Sequence, residues 1–202
     1  SFDLATSAAN VFAGYWESGA GAIHAENQAL AWICSLLGWP TTSGGVFVSG
    51  GTTGNLSALV AARHAAERKH GHPAGRWRLA CTSDAHSSIR AAANVMDVEV
   101  VEVPGDELGR LTGERLDAVL AETPDVFGVV SSAGTTNSGV VDDLAGVADA
   151  CERHGVWMHV DGAYGGAGLA APSVRHLFTG IERADSFIVD PHKWLFAPYD
   201  SC

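Results

Sequence analysis

Apolar and polar positions along this chain follow two alternating periods. Over residues 22–37, Ile23, Leu30, Ile33, Leu36 and Leu37 fall near one helical face, and Gly38 followed by Pro40 stops the run. Short β-rich runs then alternate with amphipathic stretches. Val46–Val48 precedes a helix over 53–69, Arg78–Cys81 one over 86–96, Glu99–Val103 one over 113–122, and Phe127–Ser131 one over 143–154. Val156–Val160 and Phe187–Val189 are the last strands. Strands rich in Val, Ile and Phe without polar alternation are buried on both faces, which requires helices on both sides of the sheet. The pattern predicts a doubly wound, mostly parallel α/β domain. No Pro/Ser-rich linker divides it, and the charged stretch Arg63–His72 reads as the solvated end of a helix.

Composition narrows the function classes. At 202 residues, 47% hydrophobic and 17% charged, the chain can bury one sizeable core, which excludes disorder. No apolar run approaches the ~18 residues of a membrane span, and the first ten residues lack a secretory pattern, so no membrane partner is expected. The chain begins at Ser1 and stops at Cys202 without a tail, which suggests a piece of a longer subunit. A net charge of −11 repels phosphate backbones and argues against nucleic acid. Cys34, Cys81, Cys151 and Cys202 form no C-x-x-C pair, which fits a reducing cytoplasm better than a zinc ribbon or a disulfide framework.

In open α/β sheets ligands lie beyond the carboxyl ends of the strands. Five polar or glycine-rich sets occupy such places: Ser49–Asn55, Ser83–His86, Gly134–Thr136, Asp161–Ala163 and Asp190–Lys193. The first opens a helix, so its free N–H groups and dipole suit a phosphate, although neither the P-loop nor the G-x-G-x-x-G spacing is present. A glycine turn with Thr52 as N-cap is the simpler reading of the same residues. Lys193, flanked by Pro191, His192 and Trp194, is expected to be a poorly solvated ammonium suited to Schiff-base chemistry; a surface lysine is the alternative. Asp161 ends an apolar strand and calls for a cationic partner, a metal or a protonated heterocycle. A metal is set aside because His159 is read as facing away from Asp161. His86 suits acid–base work, stacking or a helix start.

A phosphate cradle, a buried acid and a lysine in this order are the parts of a pyridoxal-phosphate site. The strings SGGTTGNL (49–56), DAHSSIRAA (84–92), SAGTTNSG (132–139), HVDGAYGG (159–166) and DPHKWL (190–195) resemble the group II pyridoxal-phosphate-dependent amino-acid decarboxylases, from about Gly21 to the end. That family includes glutamate, aromatic-amino-acid, histidine and cysteine-sulfinate decarboxylases. The resemblance implies the large domain of fold-type I (aspartate-aminotransferase-like) enzymes over 41–202, a lead-in segment and helix over 1–40, and further segments on either side. It implies decarboxylation of an L-amino acid through an external aldimine and a quinonoid intermediate, in a homodimer with its site at the interface. Lys193 would hold pyridoxal 5'-phosphate as an internal aldimine, Asp161 would pair with the pyridine nitrogen, and His86 and Ala163 would lie on opposite ring faces. Thr136 would sit beside the ring substituents, and Gly51, Thr52 and His192 would meet the phosphate. Asp190 stands where many relatives have Asn, and a carboxylate there is unfavourable unless turned away, protonated or bonded to N–H groups. An aldehyde synthase, carbon–carbon lyase or aminotransferase of the same fold would keep Asp161 and Lys193. A non-catalytic nucleotide-binding domain would need the absent G-x-G-x-x-G.

Overall fold

The computed structural model of the protein describes residues 2–197 and 202. They form two compact units divided between Phe47 and Val48.

The first unit is helical, with α1 (Phe2–Ala9) and α2 (Trp16–Leu37). Helix α2 starts earlier than its apolar spacing suggests, and non-helical Gly19 kinks its first turns. Gly38 ends it in the left-handed region (φ 77°), its N–H turned back to the Cys34 and Ser35 carbonyls. The Glu26 carboxylate accepts the Phe47 N–H (3.1 Å) and holds the returning chain.

The second unit opens with α3 (Gly51–His70) and continues as β1 (Arg78–Cys81), α4 (Ser87–Met96), β2 (Glu99–Glu102), α5 (Gly113–Glu122), β3 (Val126–Ser132), α6 (Leu144–His154), β4 (Trp157–Asp161), β5 (Ser186–Ile188) and the single turn α7 (Pro191–Trp194). All strand pairs are parallel, in the order β2-β1-β3-β4-β5. Helices α3 and α4 cover one face and α5 and α6 the other, so the doubly wound expectation is borne out. The helices dock through the spacing that packs one helical face. In α4 Ile89, Ala92, Ala93 and Met96 are buried at i, i+3, i+4, i+7 with Ser88 beside them, and in α6 Leu144, Val147, Ala148 and Cys151 repeat that spacing with Ala150 beside them. Leu59 and Ala62 of α3 join the α4 set over Leu79, Cys81 and Val130, forming the main core. Burying a Leu or Ile in such a layer contributes roughly 1.5–3 kcal/mol.

One predicted strand is absent. Residues 46–48 have no sheet partner among the described residues, and Val46 is 66% exposed. Three apolar residues between glycines are too few to hold a ladder alone, and the Val48 N–H instead donates to the Cys202 carbonyl (2.8 Å). The strand order reverses between β1 and β3, and a crevice therefore opens at their carboxyl ends.

Candidate active site

At that crevice lies a cavity of about 150 Å³. The ends of β1, β3 and β4 supply Asp84 and His86, Ser132 and Thr136, and Asp161 and Ala163; Gly51, Thr52 and Asn55 come from the start of α3, and Asp190 and Lys193 from the turn after β5. Every candidate from the sequence lines this cavity except His192, which lies in α7 beside it.

Helix α3 begins after Gly50, which adopts φ 90° and makes no side-chain cap, so Thr52 is a first-turn residue and not the N-cap. The N–H groups of Thr53 and Gly54 bond to the Gly50 carbonyl, while those of Gly51 and Thr52 donate to nothing among the described residues. Two free amides on a 20-residue helix make an anion site by dipole and by unmet hydrogen bonding.

Asp190 faces this helix start. A Cβ on Gly51 would stand 3.0 and 3.2 Å from its carboxylate oxygens, so any larger residue would crowd the approach. The carboxylate is 4% exposed and pairs through Oδ2 with Lys193 Nζ (2.8 Å). Its Oδ1 is buried and receives no N–H or O–H hydrogen bond among the described residues. The Cys202 thiol is pushed far up by burial first, then by its hydrogen bond to Asp190. Lys193 therefore differs from the sequence expectation. Its side chain is 35% exposed and ion-paired, so the ammonium is not stranded in apolar surroundings.

Asp161 is 8% exposed, yet its partners are neutral: Oδ1 accepts the Ala163 N–H (3.0 Å) and Oδ2 the Asn55 Nδ2–H (3.0 Å). His159 does not face away from it. Residues two apart on a strand share a face, and His159 Nε2 lies 2.8 Å from Asn55 Oδ1. Burial pushes the His159 pKa down to about 4, against the opposing charge of Asp161. His86 is both helix start and cavity wall: it is the N-cap of α4, its Nδ1 accepting the Ser88 N–H.

The loop after β3 is closed by an Ala133–Val141 bridge and by bonds from the Gly134 and Thr135 N–H groups to the Val140 carbonyl. The Thr135 hydroxyl is occupied by Ser138 and the Val140 N–H, leaving Thr136 exposed at the cavity. Gly134 (φ 99°) lets this loop approach the turn after β4, where a Cβ on it would meet Gly165 Cα at 2.7 Å. Asp142 ties the end of β3 by accepting the Ser132 (2.6 Å) and Leu111 (2.8 Å) N–H groups, and burial raises its pKa to about 6. Tyr164 and Trp194 meet edge to face at 5.7 Å and pin α7 beside the turn. Asn55, Asp84, Ser132, Gly134, Thr135 and Tyr164 line the cavity without having been assigned a role from sequence; all six sit inside recognised strings, but nothing local marks their partners.

Fold and cavity together define a parallel α/β domain that presents an amine, a buried carboxylate, an imidazole and a helix N-terminus to one cavity. The family model for the pyridoxal-dependent decarboxylase conserved domain matches residues 2–202, and the chain belongs to that family. An aromatic-L-amino-acid decarboxylase of Bacillus atrophaeus is 37% identical over 205 residues, covering 98% of this chain and 42% of the relative. The glutamate decarboxylase domain of a diaminobutyrate-pyruvate transaminase and L-2,4-diaminobutyrate decarboxylase from Vibrio parahaemolyticus superposes with TM-score 0.91 at 31% identity, over 98% of this chain and 47% of that one. Oryza sativa TDC, solved with PLP and tryptamine, gives TM-score 0.90 at 32% identity, over 98% and 45%. The chain thus spans less than half the length of these relatives, and its fold is the α/β fold of their pyridoxal-phosphate domain.

Proposed function

We propose that the protein is a pyridoxal-phosphate-dependent carboxy-lyase that removes the α-carboxylate of an L-amino acid. One observation carries the reading: a single cavity gathers Lys193, Asp161, His86 and the uncapped start of α3. The group fits the residues present. The free amides of Gly51 and Thr52 suit its phosphate, with His192 close by in α7. Lys193 Nζ supplies the amine for covalent attachment of the aldehyde. Asp161, held as an acceptor by two neutral donors, suits a protonated ring nitrogen. His86 and Ala163 suit the two ring faces, and Thr136 the ring edge.

When bound, the cofactor serves as an electron sink for charge left on Cα. The chain's own residues orient and stabilise. His86 and the free amides at the start of α3 would hold the ring by its face and its phosphate and so restrain its rotation. Asp161 keeps a proton on the ring nitrogen while negative charge develops nearby. Lys193 must exchange its Asp190 partner for the cofactor, which leaves the buried Asp190 carboxylate beside the anion site.

The substrate is an L-amino acid, and the functional unit a homodimer with the cavity at its interface, as the resemblance implies. No helix among the described residues is long and apolar enough to cross a membrane. The four free, buried cysteines support a reducing, cytoplasmic setting. The test is CO2 release by the full-length protein across a panel of L-amino acids, beside its Lys193→Ala variant. Release from at least one amino acid by the wild type alone is expected; equal release by the variant refutes the proposal.

A further inference from the structure

Beneath the cavity runs a polar chain linking four elements, β4, β5, α3 and α4. Trp157 Nε1 donates to Ser186 Oγ (2.8 Å), which meets His159 Nδ1 (2.8 Å). His159 Nε2 meets Asn55 Oδ1 (2.8 Å), and Asn55 Nδ2 donates both to Asp161 Oδ2 (3.0 Å) and to Ser88 Oγ (2.9 Å). Ser88 Oγ meets His86 Nδ1 at 2.8 Å. Asn55, Ser88 and His159 are each at most 3% exposed, so water does not substitute for these partners.

Donor and acceptor inventory fixes the directions along the Asp161–Asn55–His159 branch. An ionised carboxylate only accepts, so the Asn55 amide must present Nδ2 to Asp161; turned over, its oxygen would face the carboxylate and two acceptors would oppose each other. Asn55 Oδ1 can then only accept, so His159 carries its proton on Nε2. The neutral ring offers Nδ1 to the Ser186 hydroxyl, whose oxygen receives the Trp157 N–H. On the other branch Ser88 Oγ accepts from Asn55 and keeps a second lone pair, so the direction at His86 is set by the main chain, Nδ1 accepting the Ser88 backbone N–H (3.2 Å). The remaining ring nitrogen of His86, Nε2, therefore holds the proton.

We propose that Asn55 is a positioning residue for Asp161: its amide keeps the carboxylate an acceptor, and the Nε2 proton of His159 holds that amide the right way round. The carboxylate meant for the ring nitrogen is thereby oriented by one side chain of α3, with neutral His159 as its anchor. The cofactor half of this inference rests on the proposed function; the His159 tautomer does not.

The experiment uses the full-length protein. Histidine-15N-labelled apoprotein reports the His159 ring tautomer, and equilibrium titration compares pyridoxal phosphate with its 1-deaza analogue, in which CH replaces the ring nitrogen. The wild type is expected to show His159 protonated on Nε2 and to favour the nitrogen-containing cofactor by about tenfold or more, the scale of a hydrogen bond to a charged group. Asn55→Leu should collapse that ratio several-fold and mix the His159 tautomers. Ser88→Ala cuts only the branch to His86, so it should keep both the ratio and the His159 tautomer. An Asn55→Leu protein with both wild-type ratio and wild-type tautomer overturns the inference. If that variant does not fold, a wild-type His159 protonated on Nδ1 overturns it instead. A wild type that binds both cofactors equally contradicts the role of Asp161, and hence the proposed function, whatever the tautomers show.

Discussion

Three glycine-to-alanine substitutions around the cavity separate steric blockage from backbone strain. Gly165 has ordinary φ (−90°), but a Cβ on it would fall on the Ala133 carbonyl oxygen and lie 2.8 Å from Gly134 Cα. Both neighbours are backbone, so they can yield only by moving the loop that carries Thr136. Gly139 is the opposite case, with φ 67° and open space around its would-be Cβ. Gly134 combines both problems, at φ 99° and 2.7 Å from Gly165 Cα. Left-handed backbone costs an alanine roughly 1–2 kcal/mol, offset by about 0.4–1 kcal/mol from the stiffer unfolded chain. Overpacking costs roughly 1–3 kcal/mol. Gly139→Ala should therefore lose about 1 kcal/mol or less, Gly165→Ala about 1–2, and Gly134→Ala about 2–4, the sum of both terms. Urea unfolding of the full-length protein, followed by near-ultraviolet circular dichroism, gives the order. Cofactor affinity should fall in the Gly134 and Gly165 variants but not in Gly139→Ala. A Gly165→Ala protein as stable as the wild type would refute the close approach of these two turns.

Other expectations concern charge. Asp161→Asn should keep cofactor binding through Lys193 and the α3 amides, yet lower turnover by orders of magnitude, at ~1.4 kcal/mol per tenfold; near-normal rates contradict its role. Asp190→Asn removes a buried negative charge beside Gly51, and one unit charge a few ångströms away is worth up to roughly 4 kcal/mol at an effective dielectric of about 20 before screening. Inorganic phosphate and the cofactor should bind about tenfold or more tightly to that variant by calorimetry, and weaker binding contradicts this reading. Asp142, raised to about 6 by burial, favours the folded state while protonated. Its contribution is complete below about pH 4 and lost as pH rises through 6, a difference of about 3 kcal/mol. His159, pushed down by burial, acts in the opposite sense over much of that range. The wild-type minus Asp142→Asn stability difference isolates the first effect and should fall between pH 4 and 6; a flat difference contradicts it.

The parts legible in the sequence are those encoded by local period. Ile89, Ala92, Ala93 and Met96 announce α4 and its buried face together, and the apolar runs ending at Ser132, Asp161 and Ile188 announce adjacent parallel strands. Because each strand delivers its next residues to the same sheet edge, the candidates gather at one cavity. What failed lacked that local signal. Residues 46–48 have strand composition but depend on a partner for pairing, which no run of three residues reveals. The Asn55–His159 and Asn55–Asp161 bonds join positions 104 and 106 residues apart, so Asn55 reads as one polar residue in a helix start. Lys193 reads as isolated in sequence because its ion pair with Asp190, three residues earlier, depends on how the single turn α7 folds. Strand alternation places His159 on the same side as Asp161, since every second residue shares a face.

The central claim is that Lys193 is the covalent anchor of the cofactor. The direct measurement is borohydride reduction of the full-length protein loaded with pyridoxal phosphate, followed by proteolysis and mass spectrometry of the modified peptides. The account predicts one stoichiometric phosphopyridoxyl label, on the lysine of the Asp190–Leu195 sequence, and its loss in Lys193→Ala. A label on Lys69, the other lysine of these 202 residues, or on a lysine elsewhere in the subunit, with Lys193 unmodified, would contradict it.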